Sequence, residues 1–264
     1  MKRFLKFTQY TVYDLMQKIK HKWFPDFVIQ ENRRKSTEKE RQFDKKFEER
    51  FVEKKIQMAS KSKSQLGQDV LALMILGGSE KFFVEFGATN GIDLSNTYLL
   101  ENDCNWTGIL AEPGVEWHSS LISNRTNSIL DFRAIWTDSN QEILFQQNRE
   151  RSALITSRST PNNDSTYLVT TVSLEDLLKE HNAPIFVDYL SIDIEGYEEK
   201  IVRSGVLEKY SFGLITLEHN YKANRYSILK YMRKAGYSRI LSNNSLWDDW
   251  YIREDILMDL LGTC

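Results

Sequence analysis

The chain has 264 residues, is 41% hydrophobic, and contains four prolines, twelve glycines and two cysteines, Cys104 and Cys264. That length and composition build one sizeable core with room for an appendage and exclude a fibrous or disordered chain; two cysteines so far apart exclude a disulfide framework and a thiolate metal site, and fit a reducing compartment. The net charge of −2 hides a split, because residues 1–64 hold 18 basic and 9 acidic side chains and the remainder 17 and 28, so a basic arm precedes an acidic body.

In residues 1–23, Phe4, Phe7, Val12, Leu15, Ile19 and Trp23 recur at near-helical spacing with lysines between them, which predicts an amphipathic helix ended by Pro25. Residues 31–58 mix both signs of charge with Phe43, Phe47 and Phe51 at four-residue steps, a second helix with a narrow apolar stripe. Lys61 to Ser64 read as a short linker, so residues 1–63 form a helical extension and 64–264 the main domain. No apolar run approaches the ~20 residues that cross a bilayer. Gln9, Tyr10, Thr11 and Asp14 interrupt any signal-peptide core after Lys2, Arg3 and Lys6, and a cytoplasmic location is expected. For residues 1–58, packing on the domain competes with contact to a second subunit and with peripheral binding to an anionic membrane. Nucleic-acid binding is not expected, since lysines alternate with acids after Glu31.

From Ser64 onward the pattern changes to short apolar strands separated by helix-sized stretches. Gln68 to Leu76 reads as a helix stopped by Gly77 and Gly78, and Lys81 to Phe86 as a buried strand. Ser95 to Asn102 starts a helix with Ser95 as its cap. Gly108 to Ala111 is a second strand and Ile129 to Ile135 a third. Glu142 to Gln146 and Tyr167 to Val172 form a hairpin-like excursion, and Ser173 caps a helix through Glu180. A strand from Ile185 to Ile192 follows Pro184, Tyr197 to Leu207 is helical, and Phe212 to Leu217 is another strand. Tyr226 to Ala235 is a helix, and Tyr237 to Leu241 and Asp249 to Ile252 are closing strands, one of them antiparallel. This alternation predicts an α/β domain with a doubly wound, mostly parallel sheet covered by helices on both faces.

In such sheets ligands sit beyond the carboxyl ends of the strands. Glu85, Phe86, Gly87, Ala88, Thr89, Asn90 and Gly91 form a strand end and glycine turn of the kind that admits a nucleotide-type cofactor. Glu85 within an apolar strand requires a cationic or hydrogen-bonding partner, from a ligand or from a backbone network beneath it. Glu112 ends the next strand, 21 residues beyond Gly91, the place of a carboxylate that accepts ribose hydroxyls. Asp193, Glu195, Glu218 and His219 stand at two later strand ends, where catalytic-base chemistry competes with a divalent metal held by Asp193 and Glu218. The run from Ser64 to Asp69 reads either as a polar lid or as a plain helix cap.

Taken in order, Ser64, Gln65, Gly67, Gln68 and Asp69, then Val84 to Ala88 with Gly91, then Ser95, Asn96, Thr97, Leu100 and Glu101 resemble the FkbM methyltransferases. So do Trp106, Gly108, Leu110, Glu112 and Pro113, then Leu190 to Asp193 with Glu195, Gly196 and Glu198, and finally Glu218, His219 and Asn220. The likeness runs from about Ser64 to Arg253. It implies a class I, seven-stranded methyltransferase fold, S-adenosylmethionine as cofactor, and O-methylation of a sugar, glycan or other hydroxyl-bearing metabolite. By that resemblance Gln68, Glu85, Gly87, Ala88, Gly91, Ser95, Asn96 and Asp193 bound the cofactor, Glu112 with Pro113 takes the ribose, and Ala134 and Ile135 neighbour the adenine. The rivals are a nicotinamide oxidoreductase, opposed by the missing six-residue triple-glycine motif, and a non-catalytic cofactor-binding scaffold. Arg149, Arg151 and Arg158 in the excursion read as solvated residues or as contacts to an anionic acceptor.

Overall fold

A computed structural model of the chain describes residues 38–155 and 165–262. The expected helix over residues 1–23 lies outside them, as does Arg158. By its contacts the chain divides into Met1–Gln42 and Phe43–Cys264; the second unit is described here. It begins within helix α1 (Glu38–Gln57), whose stripe is real: Phe43 stacks on Phe47 at 5.4 Å, and Phe51 meets Trp250 edge-on at 5.5 Å inside the core.

The elements that follow are α2 (Gln68–Leu76), β1 (Phe82–Phe86), α3 (Tyr98–Cys104), β2 (Thr107–Ala111), α4 (Val115–Asn124), β3 (Ile129–Asp131), β4 (Ala134–Trp136), β5 (Glu142–Gln146), β6 (Ala153–Ile155) and β7 (Thr166–Ser173). Then come α5 (Leu174–Glu180), β8 (Phe186–Ile192), α6 (Glu198–Val202), a 3-10 turn (Val206–Glu208), β9 (Ser211–Glu218), α7 (Arg225–Lys234), β10 (Tyr237–Ile240), β11 (Asp248–Arg253) and α8 (Glu254–Gly262). The main sheet has seven strands in the order β10-β11-β9-β8-β1-β2-β3. From β9 to β3 every pair is parallel, while β11 runs antiparallel to both β9 and β10. The sheet is therefore mixed, with its single reversal at β11.

Alternation along the strands separates two apolar layers. Val84, Phe86, Ile109, Leu190, Ile192 and Ile215 join the layer under α5, α6 and α7; Phe83, Leu110, Tyr189 and Leu214 join the one under α1 to α4. Strands with both faces covered read as nearly continuous apolar runs.

Several elements depart from expectation. The strand expected over Ile129 to Ile135 is two strands: β3 pairs with β2, and β4 pairs with β7 in a separate four-stranded sheet, β4-β7-β5-β6. The break falls at Asp131, whose carboxylate turns back to bind the backbone N–H and guanidinium of Arg133. The expected excursion exists, with β5 antiparallel to β7, and β6 extends it. Helices α4 and α8 were not legible beforehand, and α6 is shorter than expected because the 3-10 turn closes it. Ser173 caps α5 as expected, accepting from Asp176 N–H. Ser95 is not itself the cap of α3, which is Thr97, but its hydroxyl accepts from the N–H groups of Thr97 and Tyr98. Among the described residues no helix is long and apolar enough to cross a membrane.

Candidate active site at the switch point

β1 and β8 are parallel neighbours, yet the chain leaves β1 toward β2 and β3 and leaves β8 toward β9. The winding reverses between them, and such a switch point opens a crevice beyond the strand ends. The glycine turn lies there. Gly87 has φ +75°, and a Cβ on it would stand 2.4 Å from the carbonyl oxygen of Asp193, so only glycine lets this turn approach the end of β8. Gly91 has φ +80°, and its Cβ would collide with Arg125 Cγ at 2.6 Å and Leu121 Cδ1 at 2.8 Å. The isolated bridge of Ser64 to Leu94 brings the start of the domain beside the same loop.

Glu85 lies beneath the turn, 2% exposed. Its carboxylate accepts from Asn96 N–H at 2.6 Å, from Ser95 Oγ at 2.9 Å and from Thr97 Oγ1, and Arg125 Nη1 stands 3.8 Å away. The partner this buried acid required is thus its own chain. Expected at the cofactor's methionine end, Glu85 braces the loop from below through these donors. Arg125, buried at the end of α4, ties the whole assembly. It donates to Glu101 at 2.8 Å, to the Gly91 carbonyl at 3.1 Å, to Ser95 Oγ at 3.2 Å and to Thr97 Oγ1 at 2.9 Å. Gln68 is also a brace. It accepts from Leu66 N–H and donates to Asp248 at 2.9 Å, while Asp69 accepts from Ser62 and Ser64, so the run from Ser64 to Asp69 closes on itself and on β11 rather than forming a lid. Asn96 donates to Ser191 Oγ at 2.9 Å, and its Oδ1 is buried without a hydrogen-bond partner among the described residues.

Glu112 sits at the end of β2, 4% exposed, one oxygen accepting from Thr89 N–H at 2.8 Å and the other from Gly114 N–H at 2.7 Å. Burial pushes its pKa up to about 7, against the pull of those two amides. Pro113 is half-buried beside it; Ala134 and Ile135 are buried in β4. Trp136, the last residue of β4, meets Tyr197 edge-on at 4.8 Å, which joins the small sheet to the segment after β8.

At the ends of β8 and β9, ligand atoms of Asp193, Glu195 and Glu218 lie within 4.8 Å of one another. Burial, followed by the neighbouring Glu195 carboxylate, raises Asp193 well above the usual carboxylate range; Glu218 is raised by burial and then by Asp193. Burial raises Glu195 as well, with Lys222 opposing it. Two of the expected catalytic groups are therefore close neighbours, each held toward its protonated form. His219 is not the expected base. It is 1% exposed, its Nδ1 accepts from Tyr221 N–H at 2.9 Å, and its Nε2 lies 2.9 Å from the Asp248 carbonyl. Those partners fix the neutral tautomer with the proton on Nε2 and leave neither nitrogen for a substrate; burial lowers its pKa to about 4.

The Methyltransferase FkbM domain matches residues 85–239, from β1 into β10. The chain belongs to the FkbM methyltransferase family. Among solved structures it is similar to an FkbM methyltransferase from Methylobacillus flagellatus KT, at 14% identity and TM-score 0.42, over 66% of this chain and 43% of that one. A precorrin-6y C5,15-methyltransferase from Geobacter metallireducens GS-15 shares 13% identity at TM-score 0.39, over 65% and 71% of the two chains. A TehB-like SAM-dependent methyltransferase from Corynebacterium glutamicum ATCC 13032 shares 6% at TM-score 0.37, over 78% and 98%. The chain spans less than half the length of the Methylobacillus protein. No curated protein matches it.

The FkbM domain contains bracing groups that the sequence pattern did not reveal. Arg125 is the principal one: a single arginine after an amphipathic stretch has no motif around it, and only the return of α4 to the glycine loop shows its use. Thr89, named only as part of the glycine turn, donates its N–H to the FkbM domain's Glu112.

Proposed function

We propose that the chain is an S-adenosylmethionine-dependent methyltransferase that methylates a hydroxyl of a sugar, glycan or related metabolite. The observation that carries the reading is the glycine turn at the switch point, closed to side chains by Asp193 on one side and Arg125 on the other, with Glu112 at the next strand end. The residues present fit the cofactor. Glu112 keeps lone pairs free beyond its two backbone donors for ribose hydroxyls, Asn96 Oδ1 is a buried acceptor that still requires a donor such as an ammonium, and Gly87 and Gly91 leave backbone rather than side chains lining the turn. Ala134 and Ile135 supply apolar surface for a base.

When bound, S-adenosylmethionine supplies an electrophilic methyl group on a positively charged sulfur. The protein's own work is alignment and proton removal, because a sugar hydroxyl is a weak nucleophile until its proton leaves. Asp193 and Glu218 stand side by side at the strand ends, where whichever is ionised accepts a hydrogen bond, and then a proton, from the acceptor. Glu195 stands beside them with its charge repelling both.

The test is calorimetric titration of the full chain with S-adenosylhomocysteine and, separately, with NAD, followed by transfer of labelled methyl from S-adenosylmethionine to a panel of glycans. Binding of the first alone and label on a hydroxyl are expected. Binding of NAD alone would overturn the reading in favour of an oxidoreductase, and cofactor binding with no transfer to any acceptor would favour a scaffold.

A further inference from the structure

We infer that Asp193, Glu195 and Glu218 form a site for one hard divalent cation at the mouth of the switch-point crevice. Its role, holding an acceptor's oxygen atoms beside the cofactor, rests on the methyltransferase reading; the binding itself does not.

Parallel pairing of β8 with β9 sets Ile192 opposite Leu217, so the residues that follow, Asp193 and Glu218, emerge side by side. The chain then turns sharply. Glu195 takes φ +58°, a left-handed conformation that costs a non-glycine residue ~1 kcal/mol or more, and Gly196 follows at φ +131°. That turn brings a third carboxylate to a place already holding two. Like charges so gathered repel unless protons or a cation lie between them.

A second observation points to a ligand. Glu218 is only 8% exposed, and its Oε2 has no hydrogen-bond partner among the described residues. A buried carboxylate oxygen left bare loses its hydration with nothing in return. The strongest charges acting on Glu218 come from Asp193, Glu195, Asp248 and Glu198, all of them acidic. The cations here act instead on its neighbours, Lys222 on Glu195 and Glu198 and Arg151 on Glu195.

The spacing admits a single ion. Two oxygens on one ion can be separated by at most twice the metal–oxygen distance, which is roughly 4.6–5.2 Å for calcium and about 4.0–4.2 Å for magnesium. The three ligand atoms all lie within 4.8 Å of one another, close enough for one calcium-sized ion to touch all three as the groups stand. Three carboxylates leave about three or more of the 6–8 positions of a calcium-like ion for water or acceptor oxygens.

The experiment is titration of the EDTA-stripped full chain with CaCl2, MnCl2 and MgCl2 by calorimetry, with S-adenosylhomocysteine titrated into the same samples. One saturable site for at least one of the three cations is expected, weakened at least about tenfold in both Glu218→Gln and Asp193→Asn, with no change in Asp255→Asn. Circular dichroism and melting verify that each variant is folded. Absence of saturation by about 10 mM, or equal binding in folded Glu218→Gln and Asp193→Asn, would overturn the cation site and leave the pair held by protonation. S-adenosylhomocysteine binding without cation binding removes this inference alone; cation binding without S-adenosylhomocysteine binding removes the methyltransferase reading alone.

Discussion

Cofactor affinity should rise with pH through neutrality, and Glu112 should be the cause. Its carboxyl is buried at 4% exposure and its pKa is pushed from 4.5 up to about 7. Between those values the folded protein holds a proton that the unfolded chain has released. Stability from this group is thus complete below about 4.5 and declines as pH rises to about 7, by about 3 kcal/mol in all. Ribose hydroxyls are donors and favour the ionised carboxylate, so binding carries the opposite pH dependence to folding. With a pKa of about 7, roughly one molecule in ten is ionised at pH 6 and nine in ten at pH 8, which predicts a rise in affinity approaching ninefold. Calorimetric titration with S-adenosylhomocysteine at half-unit steps from pH 6 to 8 measures it. Glu112→Gln removes the charge and sets an NH2 group against the Thr89 or Gly114 N–H; it should weaken binding by roughly tenfold or more and flatten the profile. A flat wild-type profile, or an unchanged slope in Glu112→Gln, would refute the reasoning.

Gly87→Ala forces a left-handed alanine against the Asp193 carbonyl and should cost about 2–3 kcal/mol in urea unfolding, together with most of the cofactor affinity. Arg125→Met leaves Glu85 and Glu101 buried without their cation and should destabilise by about 3–5 kcal/mol, read from the same unfolding curves. His219→Gln preserves one donor and one acceptor, so methyl transfer should remain within a few-fold of wild type; a hundredfold loss would restore His219 as a base. The same variant should melt higher than wild type near pH 5, because the histidine's folded pKa of about 4 lies below the unfolded 6.5, and stability is lost as pH falls between them.

Helix α2, strands β1, β2, β8 and β9, and the Ser173 cap were legible because local pattern dictates them: apolar runs bounded by Gly, Pro or a capping Ser. The split between β3 and β4 was not, because seven residues of apolar character do not disclose that Asp131 folds back on Arg133. Helix α4 is short and mixed in character, and α8 has no buried residue, so neither has a strong apolar face to read. At the site, the glycine turn and Glu112 were placed by spacing alone. The difference between Glu195, which joins the acidic cluster, and His219, which turns into the protein, depends on where the backbone goes after each strand. Both are polar residues at strand ends, and the sequence treats them alike.

By itself the sequence determined the alternation of strands and helices and the residues gathered at the carboxyl ends of the strands, because these follow from local periodicity and from glycine at turns that exclude side chains; the family showed in the order of its motifs. Only the tertiary structure decided which polar groups are committed to the fold and which remain for a ligand. Glu85, Gln68 and His219 are satisfied by Thr97, Asp248 and Tyr221, partners 12, 180 and 2 residues away in sequence, whereas Asn96 Oδ1 and Glu218 Oε2 have no partner among the described residues. Hydrogen-bond satisfaction is a property of groups brought together by folding, and no reading along the chain can register it.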